Sequence, residues 1–220
     1  LLSMGHYSSL QGLDAREVEL LLERQLISES LAQATGPRGV FVSHDQSLSI
    51  LVNDEDHLRI QVSAPGLQPL EVWSRLNGID DLLQTPLDYA FDERLGYLSS
   101  DLTRVGTGLK IDVLLHLPAL GMAGELPAAE QFVREQHHIL EGAFGSLNEG
   151  RGDLYLLHNR RTLGRSEEEI AFHVKHLAMD LIAREKDARQ TVLAENAVSL
   201  EDRVGRAAGI ARGARLLEYG

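Results

Sequence analysis

Residues 48–62 read LSILVNDEDHLRIQV, in which two apolar runs flank a polar segment. The runs, Leu48–Val52 and Leu58–Val62, are dense in the Val, Ile and Leu that favour strands. Between them, residues 53–57 carry the Asn and Asp that favour turns. The stretch therefore predicts two neighbouring strands joined by a charged hairpin turn.

This charged turn has two interpretations. As a solvated hairpin turn it needs no function, and spacing alone favours that interpretation. As an acid–base site it would place a carboxylate at a strand end, beside His57 and Arg59. Asp54, Glu55 and Asp56 would then raise one another's proton affinity, which suits a group that holds a cationic substrate.

Helix and strand signals continue on both sides of this stretch. Asp14 with Glu17 matches the capping box that begins a helix, and that helix is expected to run through Ile27. Ser166 with Glu169 matches a second capping box. The other expected elements are strands at 40–43, 109–117 and 154–157, and helices that begin at Pro69, cover 127–138 and begin near Ser199. This mixture predicts an α+β fold with a mainly antiparallel sheet.

The composition is typical of a globular protein, since 43% of the 220 residues are hydrophobic and 25% are charged. No internal repeat or linker rich in Pro, Gly and Ser divides the chain, so residues 1–220 are predicted to form a single domain. No apolar run approaches the ~20 residues that span a bilayer, so no membrane association is expected. The absence of cysteine fits a reducing compartment, and we predict a cytoplasmic location. Because the chain begins with Leu1, we expect it to be trimmed from something longer.

The formal net charge of −12 restricts the ligands that this chain can bind. An acidic surface repels the phosphate backbone, so nucleic-acid binding is not expected. A polyphosphate such as ATP would need a local group of arginines inside the negative field.

A glycine loop, Val105-Gly106-Thr107-Gly108, precedes the strand expected at 109–117. Glycines let backbone N–H groups approach a phosphate closely, although two glycines in a turn are common in any protein. The loop is not a P-loop, because the Gly-Lys-Ser/Thr ending is absent and a strand follows it.

Three other patterns favour structural or chance explanations. His173 and His176 lie three apart on a predicted helix without a third ligand, so no metal site is predicted. Residues 151–153 spell Arg-Gly-Asp, which we attribute to chance. A basic stripe near the C-terminus either pairs with carboxylates of the same chain or forms a docking face for an acidic or phosphorylated partner. Its members are Arg203, Arg206, Arg212 and Arg215.

Four segments occur in a set order: VNDEDHLRI at 52–60, VGTGL at 105–109, HLPAL at 116–120 and TLGRSEEEI at 162–170. The first resembles the signature of the phosphagen (ATP:guanidino) kinase family, which reads Asn-Glu-Glu-Asp-His-Leu-Arg. All four fall in the order of that family. Parts of them, together with residues 26–28, are most similar to bacterial protein-arginine kinases.

This resemblance implies a fold and a reaction. The fold is a large antiparallel sheet flanked by helices, the catalytic domain type shared with glutamine synthetase. The reaction is transfer of the γ-phosphoryl group from Mg-ATP to a guanidino nitrogen, which in the protein-arginine branch belongs to an arginine-containing protein substrate. The resemblance also implies a homodimer, and an N-terminal segment of the family, with two more phosphate-binding arginines, is expected to be missing from this chain.

The resemblance assigns roles to residues of the first motif. Glu55 matches the catalytic carboxylate, and Asp54 replaces a glutamate beside it. His57 and Arg59 match ATP-binding positions, and Lys110 stands at another phosphate-binding position, where the family has arginine. Lysine keeps the charge of that position but loses the two-pronged fork of arginine.

Several positions depart from the family pattern. Asp101, Leu102 and Arg104 replace a cysteine, a proline and an asparagine of one loop, Glu141 replaces an arginine, and Ser146 replaces a second carboxylate that grips the guanidinium. Two unit charges about 4 Å apart interact by ~4 kcal/mol at an effective dielectric constant near 20. If a loss of ~3 kcal/mol in the free energy of ATP binding remains after solvent and relaxation reduce this interaction, ATP binds about a hundredfold more weakly. We therefore predict a weakened or inactive kinase domain, in which Mg-ATP is bound poorly.

Three classes of function stay open on this basis. The first is a protein-arginine kinase whose missing arginines come from elsewhere. The second is a non-catalytic module that keeps the kinase scaffold and binds a regulatory protein partner. The third is a kinase of a small free guanidino compound, against which the protein-arginine-like segments count.

Overall fold

The computed structural model describes residues 3–143 and 151–215. The chain divides into two compact units, each made of two separate stretches of sequence. Unit 1 comprises Leu1–Asp112 and His158–Lys175, and unit 2 comprises Val113–Leu157 and His176–Gly220. The assignment of residues 1–220 to a single domain stays a prediction.

Unit 1 contains a four-stranded antiparallel sheet in the order β1-β2-β3-β4. Its strands are β1 (Gly5–Ser9), β2 (Gly39–Ser43), β3 (Leu48–Val52) and β4 (Leu58–Val62). The three strands predicted in this region are confirmed as β2, β3 and β4. Strand β1 was missed because its sequence, GHYSS, has almost no apolar residue; it is recruited by pairing with β2.

Both faces of this sheet are covered by apolar side chains. Successive residues of a strand point to opposite faces, so β2 contributes Val40 and Val42 to one core cluster and Phe41 to another. The first cluster also receives Leu31 from α2 (Glu29–Gln33). The second receives Ile79 from α3 (Pro69–Gln84), the helix predicted to begin at Pro69. Every residue of β2 is buried as a result.

The first predicted helix ends earlier than expected. Helix α1 (Ala15–Glu23) begins with the predicted capping box, in which Asp14 and Glu17 exchange hydrogen bonds. It stops before Ile27, because Gln25 adopts a positive φ of 56°. Ile27 is nevertheless buried in the first core cluster. Its position in the apolar pattern of this segment therefore indicates burial, although it lies outside the helix.

The rest of unit 1 holds a short hairpin of β5 (Phe91–Asp92) and β6 (Gly96–Tyr97), which was not predicted. The beginning of the long helix α6 (Glu167–Gly213) also belongs to unit 1. The capping box at its start is present as predicted, because Ser166 and Glu169 exchange backbone-to-side-chain hydrogen bonds.

Unit 2 contains most of a three-stranded sheet in the order β7-β9-β8. Its elements are β7 (Asp112–His116), α4 (Pro118–Met122), α5 (Leu126–Glu135), β8 (His138–Gly142), β9 (Leu154–Asn159) and the remainder of α6. Buried Glu185 of α6 accepts hydrogen bonds from the backbone N–H groups of Ala119 and Leu120 at 3.1 and 3.0 Å. It thereby satisfies two donors at the start of α4 that have no partner within that helix.

Three predicted boundaries are corrected in this part of the chain. The strand expected at 109–117 is confined to β7. Leu109 and Ile111 lie before that strand, and their backbone groups form hydrogen bonds with the Asn159 side chain. The helix expected over 127–138 ends at Glu135, because His137 has a φ of 60° and β8 follows. The helix expected from Ser199 is the end of α6, which is interrupted only by the non-helical backbone of Asn196.

The basic stripe lies in this last part of α6. Arg206 pairs with Asp202 one helical turn earlier at 2.7 Å, as the ion-pairing interpretation predicts. A docking role of the stripe stays a prediction.

The prediction of an α+β fold built on antiparallel sheets is confirmed. In the part of the chain that the structure describes, no helix has both the length and the apolar character needed to cross a membrane.

Candidate active site

The charged turn between β3 and β4 is a defined, hydrogen-bonded structure. Val52 pairs with Leu58 at the ends of the strands. Asn53 adopts a φ of 58°, a left-handed conformation that Asn tolerates better than most residues. Its backbone N–H donates to the His57 carbonyl at 3.0 Å, and its side-chain amide donates to the Pro37 carbonyl at 2.8 Å. The side chains that follow are therefore held in fixed directions.

Asp54 is directed into the protein, where its side chain is fully buried. Its carboxylate accepts a hydrogen bond from the Ser28 hydroxyl at 2.7 Å and one from Arg59 Nη1 at 3.4 Å. The same hydroxyl accepts from the Leu31 N–H at the start of α2. Asp54 therefore anchors Arg59, whose side chain remains 28% exposed, and its own carboxylate is committed to that task.

Glu55 is directed the other way, and its side chain is 46% exposed. Its carboxylate lies 3.6 Å from Arg104 Nη2, while its backbone carbonyl accepts a hydrogen bond from the Ser100 hydroxyl at 2.9 Å. Two adjacent acidic residues thus have opposite environments. Of these two carboxylates, Glu55 is the one that a molecule from solvent can reach.

Asp56 ties the turn to the segment that carries Arg104. It accepts hydrogen bonds from the Ser99 hydroxyl at 2.7 Å and the Ser100 N–H at 2.8 Å. Burial raises the pKa of Asp56, but the hydrogen bonds from Ser100 and Ser99 outweigh it and hold the pKa below its ordinary value. The expectation that the successive carboxylates raise one another's proton affinity is therefore wrong for this residue.

Two of the substituted positions form an ion pair with each other. Arg104 Nε lies 3.3 Å from the Asp101 carboxylate, at the two ends of a short 3₁₀ turn. Hydrogen bonds from Thr103 lower the pKa of Asp101, and the charge of Arg104 adds to this effect. The Arg104 guanidinium, 23% exposed as a side chain, thus contacts both Asp101 and Glu55. The third substituted residue of the loop, Leu102, is exposed.

Lys110 belongs to a second cluster of unit 1. Its ammonium lies 3.0 Å from the Asp112 carboxylate, which is also 3.4 Å from His158 Nδ1. Burial raises the pKa of Asp112, but the hydrogen bond from His158 and the charge of Lys110 outweigh it and lower that pKa. Sequence reasoning missed Asp112 and His158. The Lys-x-Asp spacing was the available signal, since residues two apart in extended chain lie on one side.

The glycine loop is packed against the chain. The N–H groups of Gly106 and Gly108 donate to the carbonyls of Tyr97 and Arg104 at 3.1 Å each, so neither is directed at a phosphate. Gly106 has a φ of 119°, and a Cβ placed there would lie 2.8 Å from the Leu163 Cα. The glycine is required by this close approach of two backbones, so the phosphate-cradling interpretation fails for these two groups.

The remaining predicted residues are exposed or lie outside the described residues. His57 is exposed in the turn. Glu141 is an exposed residue of β8 in unit 2, and Ser146 lies outside the described residues. Within residues 3–143 and 151–215, no three His, Asp or Glu side chains come together as a metal site.

The exposed Glu55, with Arg104 beside it and Arg59 held by Asp54, thus lies on a hairpin of an antiparallel sheet. The family model for the ATP:guanido phosphotransferase C-terminal catalytic domain matches residues 2–188, so the chain belongs to that family.

Its curated relatives include protein-arginine kinases of bacteria. That of Halalkalibacterium halodurans is 41% identical over 199 residues, which cover 90% of this chain and 56% of the relative. That of Pelotomaculum thermopropionicum is 40% identical over 210 residues, which cover 96% of this chain and 59% of the relative. The chain thus spans little more than half the length of these relatives.

Solved structures with the same fold include guanidino kinases. A duplicated taurocyamine kinase from Schistosoma mansoni, with bound transition-state analogue components, has a TM-score of 0.73 at 23% identity and covers 83% of this chain and 26% of that one. A lombricine kinase has a TM-score of 0.72 at 22% identity and covers 86% of this chain and 55% of that one. At these identities the likeness supports the fold alone.

Proposed function

We propose that this chain is a protein-arginine kinase-type domain that transfers the γ-phosphoryl group of Mg-ATP to arginine side chains of proteins, with a weakened nucleotide site. The observation that carries the proposal is the environment of Glu55. It is an exposed carboxylate of the family motif, and a guanidinium, that of Arg104, already lies beside it. Relatives at about 40% identity that are named protein-arginine kinases support an arginine-containing protein as the acceptor.

Glu55 would orient the acceptor guanidinium and accept its proton as the nitrogen attacks. Orientation matters because phosphoryl transfer depends on placing the two reactants in line, with little covalent chemistry for the protein to perform. Arg59 would contact the phosphates from the adjacent strand, oriented by Asp54 and Ser28. Mg-ATP supplies the phosphoryl group, and the described residues that would hold it are Arg59, Lys110 and His57.

The nucleotide site is proposed to be weak because its cations are already paired. Arg59 contacts Asp54, and Lys110 contacts Asp112. Each pairing cancels positive charge that triphosphate would otherwise meet, inside a chain of net charge −12. The family resemblance adds Glu141, where a relative would place an arginine. The site therefore has residues that could hold Mg-ATP, but their positive charge is partly compensated by neighbouring carboxylates.

The test is to incubate the purified chain with Mg-ATP and an arginine-rich protein and to quantify acid-labile phosphoarginine. We expect turnover well below the roughly 1–100 s⁻¹ typical of kinases, and a further loss of about a hundredfold or more in Glu55→Gln. The matched control is Glu93→Gln, an exposed glutamate of the β5–β6 turn, which leaves turnover unchanged. Absence of phosphoarginine would contradict the kinase proposal, and turnover in the ordinary range would contradict the weakened site.

A second candidate is a non-catalytic module on the same scaffold that binds a regulatory protein. The same ion pairs favour it, because a site whose cations are all compensated can keep its structure without nucleotide. It predicts no thermal shift with Mg-ATP together with a detectable protein partner. A kinase of a free guanidino compound would instead phosphorylate free arginine in preference to protein. In each case we propose a cytoplasmic location. We also propose a homodimer, and sedimentation analysis tests this oligomeric state.

A further inference from the structure

The position of Arg104 carries an inference about how the acceptor site is controlled, and it rests on the proposed function. Arg104 presents its guanidinium to two carboxylates at once, with Nη2 3.6 Å from Glu55 and Nε 3.3 Å from Asp101. A substrate arginine would bring the same chemical group to the same glutamate. The Glu55 carboxylate cannot hold the guanidinium groups of Arg104 and of a substrate in the same position at the same time.

The backbone under Arg104 is fixed from two sides. The Thr162 hydroxyl lies 3.0 and 2.8 Å from the carbonyls of Thr103 and Val105, on either side of Arg104. The Arg104 N–H donates to the Asp101 carbonyl at 2.9 Å, and the Arg104 carbonyl accepts from Gly108 at 3.1 Å. The guanidinium is therefore presented from a rigid turn.

Glu55 is held against this turn by its neighbours. The Ser100 hydroxyl donates to the Glu55 carbonyl, and Asp56 accepts from Ser99 and Ser100. The segment before Arg104 and the turn that carries Glu55 thus form one hydrogen-bonded assembly within unit 1. The proximity of the two side chains is built into it.

The contact is nevertheless weak enough to be displaced. Charge-assisted N–H···O bonds are usually about 2.7–2.9 Å long, and both contacts of Arg104 are longer. Glu55 and Arg104 are also 46% and 23% exposed, so water and a competing cation can reach them.

We propose that Arg104 occupies the position of the acceptor guanidinium at Glu55, as an intramolecular competitor that an arginine substrate must displace. The competitor lowers the affinity for any isolated arginine side chain. Substrates that gain further contacts with the protein overcome it, so Arg104 sets a threshold on which arginines are accepted.

The test is a titration without nucleotide, which does not depend on kinase activity. The probe is a blocked peptide, acetyl-Gly-Gly-Arg-Gly-Gly-amide, with a lysine peptide of the same length for comparison, and binding is followed by NMR shifts of the Ser100 and Asp101 amides. Arg104→Asn should bind the arginine peptide roughly three- to fivefold more tightly than the unaltered chain, the range expected for losing one exposed ion pair. The gain should be smaller for the lysine peptide. The loss of a positive charge favours both peptides equally, whereas the vacated guanidinium position favours the arginine peptide alone.

Matched variants complete the experiment. Arg94→Asn removes an exposed arginine of the β5–β6 turn and should leave affinity unchanged. Adding Glu55→Gln to Arg104→Asn should abolish the gain. Arg104→Gln replaces Arg104→Asn if circular dichroism shows that the latter does not fold.

Two failures are distinguishable. If Glu55→Gln weakens peptide binding but Arg104→Asn does not strengthen it, the competitor inference is wrong and the proposed acceptor site stands. If no variant binds the peptide, both the inference and the proposed acceptor site are wrong. An equal gain for the lysine and arginine peptides also overturns the inference, since it reports charge and not occupancy of a guanidinium position.

Discussion

At the scale of single residues, the turn shows how neighbours with the same chemistry acquire different tasks. Asp54 and Glu55 are adjacent, yet one is buried against Ser28 and Arg59 and the other is exposed beside Arg104. Burial commits a carboxylate to partners within the protein, because an unpaired buried charge is costly. Exposure leaves Glu55 able to exchange its partner for a substrate.

This difference predicts effects of different size on stability. Asp54→Ala leaves the Ser28 hydroxyl and the Arg59 guanidinium without their shared acceptor, and it should lower the free energy of unfolding by about 1–3 kcal/mol. Glu55→Ala at an exposed position should change it by about 0.5 kcal/mol or less. Urea unfolding measures both, and equal losses would refute the division of tasks.

Asp56 predicts a dependence of stability on pH. Its folded pKa is below the ordinary value of 3.8, so its hydrogen bonds stabilise the protein above that pH, and the contribution is lost as the pH falls through the folded pKa. Asp56→Asn should therefore be less stable than the unaltered chain at pH 7, and the gap should shrink below about pH 4. Unfolding curves at pH 7, 5 and 3 check this, and a gap that does not change with pH would contradict it.

At the scale of elements, the loop of residues 105–108 is organised by packing. Gly106 forms a bridge with Tyr97 of β6 and approaches the backbone of Leu163. The sequence pattern of two glycines suggested a phosphate loop, but backbone contact explains why one of them must lack a side chain.

The two glycines of this loop provide a matched comparison. Gly106→Ala should lower the free energy of unfolding by at least about 1–3 kcal/mol, because a φ of 119° strains any L-residue and the new Cβ would lie 2.8 Å from the Leu163 Cα. Gly108→Ala should cost less, roughly 1–2 kcal/mol, because its φ of 66° is in the left-handed region and no atom lies within 4 Å of its Cβ. Thermal or urea unfolding decides between them, and a larger loss for Gly108→Ala would refute the packing argument.

At the scale of the whole molecule, charge governs the proposed function. A chain with a net charge of −12 can attract a triphosphate only where positive side chains are left uncompensated. In unit 1, Arg59, Arg104 and Lys110 each lie beside a carboxylate of the same unit. The proposed weakness towards Mg-ATP therefore follows from pairings as much as from the substitutions themselves.

Some of this organisation could be read from local sequence. The apolar runs of β3 and β4, the capping boxes at Asp14 and Ser166 and the start of α3 at Pro69 depend on neighbours within a few residues, so they were predicted. Strand β1 could not be, because it forms only by pairing with a strand far along the chain.

The sequence by itself determined the family and the identity of the motif that carries Glu55, since both reside in the order of side chains along the chain. Only the tertiary structure decided that Asp54 is buried, that His158 lies beside Asp112 and that Arg104 stands beside Glu55. The physical reason is that burial and contacts such as those of His158 with Asp112 and of Arg104 with Glu55 depend on which distant segments the fold brings within a few ångströms of each other. No spacing along the chain encodes the contact between Arg104 and Glu55.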